Sequence, residues 1–252
     1  MSEDLPEATF RRVNDIAPED TVIIEGLPGQ GLVASITVDQ ITRQLELEHF
    51  GSISSPDFPS VVTFDDGIVQ DLVRVYASGE PAVMTLQSDL ALPPQSVDSL
   101  CSCVQHDLFT HVRKAIFIAG APAESEEQIG EVQAVASNEA MRAELEAADV
   151  PIATNHGVVG GHTGALMRGC YQTDLDAAML IVRAHPRLPD PSAAIAVIET
   201  ALEPLVDFEI ETAELEEHAE EIQGQLRQVA QQYEQVADEG LRQDQRALGM
   251  YQ

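Results

Sequence analysis

Residues 21–45, TVIIEGLPGQGLVASITVDQITRQL, decide the architecture. TVIIEG (21–26) is a β-branched run closed by a glycine, the composition of a buried strand. From residue 32 the apolar positions change period: Leu32, Ile36, Ile41 and Leu45 recur at helical spacing, which predicts a helix over 32–45. Between them Gly26, Pro28, Gly29 and Gly31 supply a tight turn. Strand, glycine turn and helix in that order open an α/β fold.

Working outward, LELEHFGSI (45–53) reads as a second strand and VVTFDDGIVQDLVRVYA (61–77) as a hairpin, with Asp66 and Gly67 at its turn. AVMTLQ (82–87) is an apolar strand, residues 94–112 a helix, and KAIFIAG (114–120) a buried strand ending in glycine. The acidic segment 121–138 reads as loop with a short helix or strand. Residues 151–170 give a strand, a glycine-rich turn and a helix start, and two helical stretches follow, about 174–184 and 191–206, the second opening on Pro191. Strands alternating with helices, with one hairpin among them, predict a layered α/β domain on a mixed sheet.

The organisation expected is an N-terminal arm (1–20), the α/β domain (21–208), an amphipathic helix (209–239) and a flexible tail (240–252). In the helix, Leu215, Ala219, Ile222, Leu226, Val229, Tyr233 and Val236 make one narrow apolar stripe, and Gly240 ends it. Such a stripe lies on a domain surface or pairs with a partner helix.

Composition restricts the partners. Forty-three acids against 13 bases give a net charge of −30, and Lys114 is the single lysine. A surface so acidic argues against nucleic-acid or anionic-membrane binding through a basic patch. It resembles the cytosolic proteins of extreme halophiles, where molar salt shortens the screening length to about 3 Å. No apolar run reaches membrane-spanning length and no leader is evident, so a cytoplasmic protein is expected. Cys101, Cys103 and Cys170 are odd in number and read as packing residues of a reducing compartment. Cys101-x-Cys103 beside His106 and His111 lacks the spacing of a metal site.

The glycine loops have two readings. Gly26 and Gly31 stand at the separation of a phosphate-binding loop, but Leu32 and Val33 occupy the places of its lysine and magnesium-binding hydroxyl. Gly29-x-Gly31-x-x-Ala34 matches a dinucleotide fingerprint after a strand, yet Pro28 stiffens the turn and HFGSISSPD shows no evident acid for a ribose. A second cluster, Gly160, Gly161, His162, Thr163 and Gly164, opens a helix whose backbone amides suit an anion. A structural turn is the preferred reading of these loops, with a nucleotide- or small-ligand-dependent enzyme as the alternative. Neither a GxSxG elbow nor an HExxH helix occurs, so no catalytic residue, cofactor or metal is expected.

Four segments in order, EGLPGQGLVASI (25–36), HFGSISSPDFPSVVTFDDG (49–67), GVVGGHTGALM (157–167) and ELEEHAEEIQGQLRQ (214–228), resemble the archaeal branch of the proteasome assembly chaperone family, relatives of the second eukaryotic proteasome assembly chaperone. The likeness runs from about residue 20 to 235. It implies a three-layer α/β/α fold similar to that of nucleoside phosphorylases, a tendency to form homo-oligomers, and no catalytic activity. It also gives the last residues a meaning: Met250-Tyr251-Gln252 fits the hydrophobic-tyrosine-any-residue ending of some relatives and of the proteasome's regulatory ATPases. The implied partner is the 20S core, whose pocket between adjacent α-subunits takes such a tail. The resemblance leaves open whether assembly or activation is the role.

Overall fold

The computed structural model describes residues 8–16, 19–217 and 219. The chain divides into two compact units, 1–212 and 213–252. The first is built on an eight-stranded mixed sheet of β1 (Thr9–Arg12), β2 (Thr21–Gly26), β3 (Glu48–Ser54), β6 (Val73–Gly79), β7 (Ala82–Ser88), β8 (Val112–Pro122), β9 (Val132–Ala136) and β10 (Ala177–Ala184). The spatial order is β1-β3-β6-β7-β2-β8-β10-β9. The central four, β7, β2, β8 and β10, are parallel, and antiparallel strands extend both sides. Between β3 and β6 the chain leaves the main sheet as a separate two-stranded hairpin, β4 (Thr63–Asp65) and β5 (Ile68–Gln70).

Helices cover both faces. Against one lie α1 (Val33–Gln44) and α5 (Pro191–Val197), against the other α2 (Val97–Cys103) and α4 (Gly161–Thr173), and α3 (Glu139–Ala147) packs beside β9. The result is the expected three-layer α/β/α arrangement. Every residue of β2 is buried, as a central parallel strand requires, so its sequence shows no alternation. Ile23, Met84, Leu86 and Phe117 face Leu100, Val104 and Leu166 in the core on the α2 and α4 side. On the other side Val33, Val38 and Ile41 of α1 are fully buried. Asn138 and Asp190 cap α3 and α5, their carboxyl or amide oxygens accepting from the amides of Met141 at 2.8 Å and Ala193 at 3.0 Å.

Three expectations need correction. Residues 174–184 are not a helix: Asp174, at φ +58°, ends α4, and the following AAMLIVRA is strand β10, paired with β8 and β9. Its apolar run is buried on both faces, which leaves no period to separate strand from helix. Residues 61–77 are not one hairpin. Asp66 and Gly67 do make the turn, both at positive φ, but its arms stop at Gln70 and Val73 starts a main-sheet strand that pairs with β3 and β7. The strand expected from residue 151 shrinks to one bridge between Ile152 and Ala134.

In the second unit residues 213–217 are helical.

Candidate functional site

The first glycine loop is fixed by its neighbours. Gly26 ends β2 where a side chain would collide with Val38 of α1, and Ser35 Oγ donates to the Gly26 carbonyl at 3.1 Å. Gly31 sits at φ +64°, and a Cβ there would come within 2.7 Å of Ala184 at the end of β10. Its carbonyl accepts from the Asp190 amide at 2.8 Å, while Gln30 Nε2 donates to the His185 carbonyl at 2.8 Å. Gly120 of β8 lets the Gln30 carbonyl approach where any side chain would strike it. Packing against β8 and β10 therefore accounts for Gly31 and Gly120. Pro28 is half-buried and Gly29 is exposed, extended and clear of neighbours.

The second glycine cluster begins α4. Gly164 packs on the Val159 carbonyl, whereas Gly160, the helix cap, and Gly161, at φ +70°, have open space at their Cβ positions. A group not singled out in the sequence joins the two loops: Glu25, at the end of β2, is almost completely buried. Its carboxyl accepts from the Leu27 amide at 3.1 Å and from Thr163 Oγ1, which lies 3.3 and 3.2 Å from the two oxygens. Burial outweighs these hydrogen bonds and pushes the Glu25 carboxyl from 4.5 up to about 8. An acid directly after the apolar run Val22-Ile23-Ile24 is its signal in the sequence, hard to distinguish among 43 acids.

His162 and Ser96 share a hydrogen bond of 2.9 Å from Nε2 to Oγ, and Ser96 Oγ also donates to the Pro93 carbonyl at 2.8 Å. Burial lowers the pKa of His162, which favours the neutral ring. The pair superficially resembles a nucleophile and base. Yet Ser96 has no exposed surface, and its proton is engaged with a carbonyl. The thiol of Cys101, which donates to the His162 carbonyl at 3.7 Å, is pushed up to about 12 by burial. These groups tie α2 and the turn before it to α4 and offer no activated nucleophile. All three cysteines are buried and unpaired, and no group of three His, Cys, Asp or Glu side chains suited to a metal occurs among the described residues.

Beyond α4 lies an open cleft of about 980 Å³. Its floor is formed by β8, β10 and β9, including Met179, Ile181 and Val135, and its walls by residues 153–160 and the outer side of α4. The C-terminal ends of parallel strands, where α/β sheets commonly take ligands, border it.

A family model described as the PAC2 family matches residues 23–230. The chain belongs to the PAC2 family. Over 217 residues this PAC2 protein is 28% identical to an uncharacterised protein of Methanocaldococcus jannaschii, covering 85% of this chain and 87% of that one. Its fold matches the crystal structure of Pyrococcus furiosus PbaA, described as an archaeal homolog of proteasome-assembly chaperone. The TM-score is 0.80 at 25% identity, over 97% of this chain and 100% of PbaA. It also matches Pyrococcus furiosus PbaB, described as an archaeal proteasome activator, with a TM-score of 0.78 at 22% identity over 89% and 99% of the two chains. The second likeness concerns the fold.

In the PAC2 chain the glycine loops come together through Glu25 and Thr163. Lys114 is buried in β8, paired with Glu144 and donating to the Leu205 carbonyl at 3.0 Å, so its charge is used within the fold. Met250, Tyr251 and Gln252, with the stripe beyond Ala219, lie outside the described residues.

Proposed function

We propose that this PAC2 protein is a homo-oligomeric, non-enzymatic factor of the 20S proteasome, docking on the core's α-ring through Met250-Tyr251-Gln252 to assist assembly or to open the gate without ATP. The observation that carries the reading is the likeness to PbaA over nearly the whole of both chains. The terminal hydrophobic-tyrosine-any-residue pattern supports it. In this mode Tyr251 and Met250 bury contact area in a pocket between α-subunits, and the terminal carboxylate meets a basic group there. Several tails on one oligomer bind one ring with an avidity well above that of a single tail. In a cytoplasm of molar salt the carboxylate contact weakens and the apolar contact strengthens, which makes Tyr251 dominant.

Tyr251→Ala is expected to weaken binding to the core by at least about tenfold, the scale of an aromatic anchor removed from its pocket. Equilibrium binding in molar KCl measures this, with peptide hydrolysis followed in parallel. Hydrolysis that rises with the native chain and not with the variant identifies activation. Binding without any rise identifies assembly. Equal affinity of the two chains would remove the tail from the account.

A further inference from the structure

The hairpin formed by β4 and β5 carries an apolar surface that its own molecule leaves in solvent. Val61, Val62, Phe64, Ile68 and Val69 are all exposed, Phe64 at 74% and Ile68 at 70%. Register places Phe64 opposite Val69 on one face, which is apolar, and Ile68 opposite Asp65 on the other, beside Thr63 and Gln70. Its tip carries Asp65 and Asp66. A two-stranded hairpin standing apart from the main sheet is marginal in water, and an exposed apolar face on it, with Ile68 on the reverse, asks for a partner that covers it.

The cleft beside α4 has the complementary character. Val135, Val158 and Tyr171 expose apolar surface there, over a floor that includes Ile181. Arg168, Arg183 and His156 also line it, with Glu131 as the one acid. Two of the chain's 13 bases thus meet at one site on a protein of net charge −30. The two surfaces stand far apart. The hairpin flanks α1, β6 and β7 towards the β1 end of the sheet, and the cleft lies over β8, β10 and β9 at the other end, on the face of α4.

We propose that the hairpin of one copy enters the cleft of the next, placing Phe64 and Val69 on the apolar floor, Ile68 against the wall at Val158, and Asp65 and Asp66 near Arg168 and Arg183. The contact is heterologous, because it joins two different surfaces, and it generates a ring where its rotation closes on itself. It deepens the homo-oligomer of the proposed function and rests on that part of it.

Two variants altered only at exposed positions test it: a hairpin variant, Phe64→Asp with Ile68→Asp, and a cleft variant, Val158→Asp with Tyr171→Asp. Masses are read by light scattering in molar KCl, with thermal melting to confirm folding. The expected result is an oligomeric native chain, a single-chain species for each variant alone, and a two-chain species on mixing the variants, since one intact hairpin then meets one intact cleft. A native oligomer whose mass survives in either variant overturns the proposal while leaving the oligomer reading intact. So does a mixture that stays at single-chain mass, as a hairpin-to-hairpin contact would give. A native chain that is itself a single-chain species overturns both. Should a variant fail to fold, the double variant Ile68→Cys with Val158→Cys replaces it: oxidation should give a ladder of crosslinked chains, and its absence overturns the contact.

Discussion

Replacing Glu25 by glutamine should remove a fall in stability between pH 4.5 and pH 8, the native chain losing roughly 5 kcal/mol relative to the variant across that interval. The sign follows from which state holds the proton. Below the unfolded value both states carry a neutral carboxyl, so burial costs little. As pH rises the unfolded chain ionises first while the folded one keeps its proton, so the native state loses ground until the folded value is passed. Above about pH 8 the carboxylate is charged in both states and the difference levels off. Glutamine keeps the shape and the hydrogen bonding to Thr163 without a titration. Urea unfolding of both proteins in molar KCl at a series of pH values measures the effect, and a difference that stays constant with pH would show that Glu25 is not the buried acid described.

The second large effect separates two glycines that stand only two residues apart. Gly31→Ala should cost about 2–4 kcal/mol, from left-handed backbone strain together with overpacking. The added methyl would lie 2.7 Å from the Ala184 Cβ, and its neighbours Gln30 and Asp190 are tied down by hydrogen bonds. Gly29→Ala should be nearly silent, because Gly29 is extended and its Cβ position is empty. Chemical denaturation of the two variants gives both numbers. A loop whose glycines served close approach to a phosphate would instead show a loss of ligand affinity at Gly29 without loss of stability, and that result would revive the small-ligand reading.

Legibility in the sequence followed the physics of each segment. Residues 21–45 are legible because β2 carries the β-branched run Val22-Ile23-Ile24 behind Thr21, and α1 turns one apolar side inward. The hairpin turn was legible because Asp66 and Gly67 tolerate positive φ. β10 carries no period that separates strand from helix, because both its faces are buried, and α3 carries a weak one, because Met141 and Leu145 are its only buried side chains among glutamates and alanines. The site was less legible than the fold. Glu25 meets Thr163 across 138 residues and Ser96 meets His162 across 66, and only the folded layers bring them together. The cleft depends on β9 and β10 lying side by side, a pairing that no local pattern announces. The family was legible because its glycine and proline segments keep their order along most of the chain, and the PAC2 match covers the same span.

Co-sedimentation with the 20S core of the same species in molar KCl, using the full chain and one lacking Met250, Tyr251 and Gln252, tests the central claim most directly. The account predicts that the full chain pellets with the core and the shortened chain stays in the supernatant. Equal pelleting of the two chains, or binding by neither, would contradict it.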